Sequence, residues 1–326
     1  MTAISVTHPD GYGMVRGLAM DDEYIYLPKA SAYPNIAAVS IANPATQVAG
    51  DVSTVDAGDT FKSCFVRMIK NTDANVNGGK DVLLMSNCSA ANGGNIVIYA
   101  YTNGISAAPI KLAQFAWDSA NNVEDWRRYG DRFFVTGTWQ DGKIWLPSFH
   151  ANKIVCLSVA NGARTAVTQY AAGADNSPEG IKDLTVWEGA DTQYLITNAS
   201  VANLMVPADG TTNGWNNLTL NFAVENAKGT WGYNFFKFND TDYIAYARIV
   251  DKKACVEIIE AGVNLGRAIS APKVLMQIPI NSAASLDSEL TTGGLADCAV
   301  RVIDGVPYIA ALTRDGAMTV YKLVMK

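Results

Sequence analysis

The sequence predicts an all-β protein built from repeated four-stranded antiparallel units, and three observations predict it. The first is the stretch 133–170, which reads as four short strands in a row: 133–139, 143–147, 153–159 and 165–170. These runs are rich in β-branched and aromatic residues, which suit a pleated, half-buried surface. Between them stand Gln140-Asp141-Gly142 and Asn161-Gly162, residues expected to supply the positive φ of tight hairpins. The second is that the pattern recurs with a period of roughly 50 residues. The third is that no helical periodicity competes with it; only 286–290 reads as a turn of helix.

Taken in order, the first unit has runs at 17–20, 24–27, 36–41 and 47–52, with Asp21-Asp22 and Asn43-Pro44 as turns. The second has 65–69, a long insertion 71–80, then 82–85, 96–101 and 110–115. The third is the stretch just described. The fourth has 184–187, 194–197, 204–206 and 218–223, and the fifth has 235–238, 243–248, 254–259 and 273–278. The sixth, 299–303, 308–312 and 318–324, runs out after three strands. The β-like run 3–7 precedes the first unit and is expected to supply the missing fourth strand, removing the exposed edges of an open array. A lone meander cannot bury both faces, so stacked copies of this period imply a six-bladed β-propeller, four antiparallel strands per blade. The expected blades are 12–54, 60–118, 126–172, 180–225, 230–280 and 295–326 plus 3–7, in one domain spanning 1–326.

The hairpins YIYLPKAS, KIWLPSFHANKIVCLSVANG and YLITNAS carry a resemblance. They resemble the short repeats of YVTN- and NHL-type β-propellers, and the whole is similar to uncharacterised six-bladed propellers of exported lipoproteins in gut bacteria. The GH…WD pair of WD40 repeats, the Gly-Gly doublets of kelch repeats and the S-x-D-x-G-x-x-W box of sialidases are missing. The resemblance therefore implies a fold and no enzymatic chemistry.

Composition narrows the function classes. Only 17% of the residues are charged, and the net charge is -6. An acidic chain with no basic run argues against nucleic-acid binding. Asn, Thr, Ser and Gly take the place of charge, as on extracytoplasmic β-proteins. The expected location is periplasmic or cell-surface, with an export signal absent from this sequence; the cytoplasm is the alternative. No apolar run approaches the ~18 residues of a membrane span. Cysteines number 5, without a CxxC, so neither a disulfide framework nor a zinc knuckle is indicated. Cys64, Cys156, Cys255 and Cys298 read as buried strand residues, and Cys88 as a loop residue.

Strand parity assigns loops to rims. The loops between second and third strands share a rim with the links between units, opposite the short hairpin turns. That rim collects long, aromatic-rich segments, where function concentrates on a rigid scaffold. The candidate ligand-binding residues are Tyr12, Arg16, Asp125, Trp126, Arg127, Arg128, His150, Lys182, Trp231, Tyr233, Arg248 and Arg314. Rings that stack on apolar faces and forked guanidinium groups that fix orientation are what a sugar or a peptide requires. Trp126 reads equally as a packing residue between units, one of Arg127 and Arg128 as a solvated charge, and His150 as a hydrogen-bonded loop residue. Trp139 and Trp187 read as packing residues on the opposite rim.

No catalytic residue is assigned. Asp59, Glu124, Asp125, Glu179 and Asp297 are acids on the candidate rim, but a glycosidase needs two of them across one bond. No G-x-S-x-G elbow accompanies His8 or His150. Two histidines rule out a His-rich metal site, and no cofactor or metal is expected; a channel calcium held by carboxylates and carbonyls is the alternative, which no D-x-D-x-D-G loop supports. The expectation is a non-catalytic binding protein for a glycan or peptide. A protein–protein scaffold and a polysaccharide hydrolase or lyase are the alternatives.

Overall fold

The computed structural model describes residues 2–6, 15–31, 33–56, 61–89, 94–116, 129–147, 153–171, 183–187, 193–198, 201–207, 215–220, 230–250, 253–262, 273–280, 296–313 and 317–323. Among them there is no α-helix, and the strands form six four-stranded antiparallel sheets. After β1 (Thr2–Val6), the first sheet holds β2 (Ala19–Met20), β3 (Tyr24–Pro28), β4 (Ile36–Ser40) and β5 (Gln47–Ala49). The second holds β6 (Phe61–Ile69), β7 (Val82–Cys88), β8 (Asn95–Tyr101) and β9 (Ile110–Ala116). The third holds β10 (Phe134–Gly137), β11 (Gly142–Pro147), β12 (Lys153–Ala160) and β13 (Ala163–Ala171). The fourth holds β14 (Asp183–Trp187), β15 (Gln193–Asn198), β16 (Val201–Pro207) and β17 (Trp215–Leu220). The fifth holds β18 (Thr230–Phe238), β19 (Thr241–Val250), β20 (Lys253–Glu260) and β21 (Val274–Pro279). The sixth holds β22 (Ala296–Ile303), β23 (Val306–Thr313) and β24 (Ala317–Lys322), and β1 pairs with β24 from Thr2↔Lys322 to Val6↔Met318.

The first strands of the sheets touch in succession, β2 with β6, β6 with β10, β10 with β14, β14 with β18, β18 with β22, and β22 with β2. Each described core is shared by two neighbouring sheets. Phe65, Leu84 and Ile98 of the second sheet pack with Ile144, Leu146 and Leu157 of the third. Val256 and Ile278 of the fifth pack with Ile309 and Tyr321 of the sixth. Ile25 and Leu27 of the first meet Leu312 and Val320 of the sixth. A sheet sandwiched in this way is buried on both faces, which is why β8 and β11 read as nearly continuous apolar runs. The outermost strands lose that cover: β21 is largely exposed and β5 partly so.

Two hairpins turn as their sequences predict. Asn161 and Gly162 have φ of 47° and 75°, and Asp304 and Gly305 have 49° and 74°. The Gln140-Asp141-Gly142 turn differs. Its positive φ falls on Gly137, at 73°, and Gly142 already belongs to β11. A Cβ there would stand 2.4 Å from the Thr138 carbonyl oxygen, so close approach and not handedness selects that glycine. Trp139 packs in the core shared by the second and third sheets, and its N–H bonds the Lys70 carbonyl across them. Trp215 opens β17 and is not in a link.

All five cysteines are buried. Cys88 is the correction: β7 continues three residues beyond the predicted run and ends on it. The strand continues because Ser89 still bridges Tyr129 of the next unit. Burial pushes the Cys156 thiol up to about 12, and burial with the Glu257 charge does the same for Cys255. The unfolded chain releases these protons near pH ~8.5. The contribution to stability is therefore complete below that pH and is lost as pH rises toward the folded value. The urea midpoint should fall between pH 8 and pH 10, and fall less in a Cys156→Ser/Cys255→Ser variant. An equal fall in both proteins would remove these thiols as the cause.

Candidate functional site

Residues that open the innermost strands converge on one charged cluster. Asp297, the second residue of β22, is completely buried and accepts four hydrogen bonds. Leu18 donates its backbone N–H at 3.0 Å, Arg67 donates Nη1 at 3.0 Å and Nη2 at 3.1 Å, and Arg132 donates Nη1 at 3.2 Å. Arg67 Nη1 also bonds the Leu18 carbonyl at 2.9 Å. The Arg67 and Arg132 guanidinium groups lie 4.2 Å and 5.1 Å from the centre of the Phe65 ring. Beside this network the buried Arg16 forms an ion pair with Asp131 and lies over Phe61. Among the described residues, three guanidinium groups thus face two carboxylates.

Local irregularities make the convergence. The β6–β7 register shifts between Phe61 and Phe65, and the β18–β19 register shifts between Trp231 and Asn234. Such bulges re-aim side chains at a rim. The second contains Gly232, at φ 64°, where a Cβ would stand 2.2 Å from Asp297 Oδ1. Only glycine lets the fifth sheet approach that carboxylate. Past the cluster, a cavity of about 170 Å³ is lined by Met20, Arg67, Val135, Asn234 and Arg301 from five innermost strands. At its other end Arg301 bonds Asp22 at 2.6 Å and Asp81 at 2.9 Å.

The sequence-predicted residues distribute unevenly. Arg16 joins the cluster. Tyr233 and Arg248, expected in a link and a loop, lie inside strands and are buried. β18 begins five residues before its predicted run, because its bulge absorbs Gly232, and β19 continues to Val250. Tyr233 stacks on Tyr246 with ring centres 5.5 Å apart, and Arg248 pairs with Glu257 at 3.0 Å. Glu257 also accepts from Tyr246 at 2.7 Å and Gln277 at 3.0 Å. Trp231 lies in β18, and its side chain is outside the described residues, as are Tyr12, Asp125, Trp126, Arg127, Arg128, His150, Lys182 and Arg314. Sequence reasoning missed Arg67, Asp131 and Arg132. A signal existed: Arg67 interrupts the apolar run Phe65-Val66-Arg67-Met68-Ile69, where only a paired charge is tolerated.

Chemically, this cluster positions rather than reacts. Asp297 spends its lone pairs on four donors, and Asp131 is held by Arg16, so neither faces a substrate bond.

No known family profile matches the chain, and no curated protein sequence matches it. Solved structures do. A DUF4623 family protein from Bacteroides eggerthii superposes with a TM-score of 0.69 at 13% identity, covering 96% of this chain and 71% of that one. An α-L-arabinofuranosidase of Fusarium graminearum, bound to an iminosugar inhibitor, gives 0.57 at 10% identity, covering 99% and 97%. Both are β-propellers. This chain is a β-propeller too. At these identities the likeness concerns fold alone, and propellers host hydrolases and scaffolds alike.

Proposed function

We propose that this propeller is a non-catalytic binding protein that recognises a glycan or a peptide on the rim carrying the links between sheets. In this reading the six sheets are six blades of one domain, 1–326, and β1 closes the ring. The β1–β24 pairing and the unbroken succession of contacts among first strands support that closure. The observation that carries the functional reading is the state of Asp297. It is locked by Arg67, Arg132 and a backbone N–H, as Asp131 beside it is held by Arg16. The cluster gives the rim a rigid floor. In the sequence, the link before the third sheet carries Trp126, Arg127 and Arg128, and the loop after β11 carries His150. A location outside the cytoplasm belongs to the same reading, supported by the low charge fraction and the Asn/Thr/Ser/Gly-rich composition.

The test is a glycan and peptide array followed by calorimetry on the hits. Saturable binding is expected, weakened at least about tenfold by Trp126→Ala and by Arg128→Ala, the scale of an interface anchor lost to alanine. Neither variant should alter the circular dichroism. Arrays without a hit, or hits insensitive to both variants, would count against the proposal. Release of oligosaccharides from a polysaccharide would establish the hydrolase or lyase alternative.

A further inference from the structure

Beside the arginine cluster, three ligand atoms of another kind meet. The sulfurs of Cys64 and Cys88 and a carboxylate oxygen of Asp131 all lie within 4.8 Å of one another, and all three residues are buried. They come from three segments: the bulged part of β6, the end of β7, and the residues that lead into β10 of the next sheet. The Cys64 thiol donates to Asp131 Oδ1 at 3.8 Å. The small apolar group around the two sulfurs consists of Ala30 and Phe61. If the cysteines served only as small hydrophobes, they would not be expected to face a carboxylate.

We infer that Cys64, Cys88 and Asp131 form a binding site for a thiophilic divalent cation, with zinc the physiological candidate. Geometry favours it. Ligand atoms around a tetrahedral zinc stand about 3.3–3.8 Å apart, from metal–ligand distances of about 2.0–2.3 Å. The observed spacing is at most about an ångström wider. Three protein ligands suffice for zinc, which completes its tetrahedron with a water. Two thiolates and a carboxylate select zinc over calcium or magnesium, which take oxygen ligands. Charge favours it as well. Arg16 already balances Asp131, and a divalent cation with two thiolates adds no net charge to the buried region. Arg16 further acts as the outer partner that orients the ligating carboxylate, the usual arrangement behind a metal ligand. The cation would tie the second sheet to the third at the rim, independently of any ligand bound above.

Cadmium reports thiolate ligation directly and takes the same ligand set. The full chain, reduced with a phosphine and stripped by chelator, is titrated with cadmium and followed by thiolate-to-metal absorption in the ultraviolet. The expected result is a band that saturates at one equivalent, with release of the two thiol protons. Native mass spectrometry should find one zinc per chain after zinc addition. Cys64→Ser and Cys88→Ser should each abolish the band, and Cys156→Ser, a buried cysteine in the third sheet, should leave it intact. No band in the wild-type protein overturns the inference. So does a band that survives in Cys64→Ser, or one lost in Cys156→Ser. If the serine variants fail to fold, the band intensity of the wild-type protein decides, since it counts the thiolates: two support the site, and none or one overturns it.

Discussion

Replacing Asp297 by alanine is expected to destabilise the protein by about 3–5 kcal/mol, the cost of removing one partner of a buried ion pair. The carboxylate is completely buried and accepts from Leu18, Arg67 and Arg132, and the Arg132 side chain is itself 2% exposed. Without it, the Arg67 and Arg132 guanidinium groups lose the buried carboxylate they share. Asp297→Asn should fare little better than alanine, because an amide nitrogen would point at a guanidinium. Urea unfolding monitored by tryptophan fluorescence reads both. A loss under about 1 kcal/mol would mean that solvent screens the network as it does a surface pair.

Phe65→Ala should cost a similar amount, about 3–5 kcal/mol, for a different reason. Phe65 is fully buried, meets Phe133 edge-on at 5.6 Å, and offers its face to both arginines. Alanine leaves a cavity between the second and third sheets and removes the ring under two cations. Phe65→Leu restores most of the volume and should recover most of the stability. What remains missing, about 1–2 kcal/mol, combines the cation–ring attraction with the lost edge contact to Phe133. The Asp297→Ala/Phe65→Ala double variant should lose less than the sum, since both side chains hold Arg67 and Arg132. Strict additivity would show that the ring and the carboxylate act separately.

The strands were legible because their signals are local. Alternation, β-branched runs and Asn-Gly or Asp-Gly pairs mark 153–170 and 299–312 without reference to anything distant. Errors sit where a strand is irregular. Lys62 and Ser63 break the apolar pattern, so β6 reads as starting at Phe65 although it begins at Phe61. Gly232 likewise hides the start of β18. The site was legible only in pieces. Arg16 and Asp297 are charges at the start of predicted strands and attract notice. Their partners do not, because Arg67 and Asp297 stand 230 residues apart and only the packing of successive sheets brings them together. Tyr233 and Arg248 look like exposed recognition residues in the sequence, yet the structure uses them as interior partners of Tyr246 and Glu257.

The pairing of β1 with β24 also sets a timetable. Thr2–Val6 leaves the ribosome some three hundred residues ahead of Ala317–Lys322. At roughly 5–20 residues per second, β1 waits on the order of tens of seconds for its partner. The other strands can form their hairpins with neighbours as they emerge; this one cannot. Among the described strands, the ladder that must wait longest therefore joins the pair farthest apart in sequence. Until that moment a growing chain displays an unsatisfied strand, the point at which two nascent copies could exchange segments.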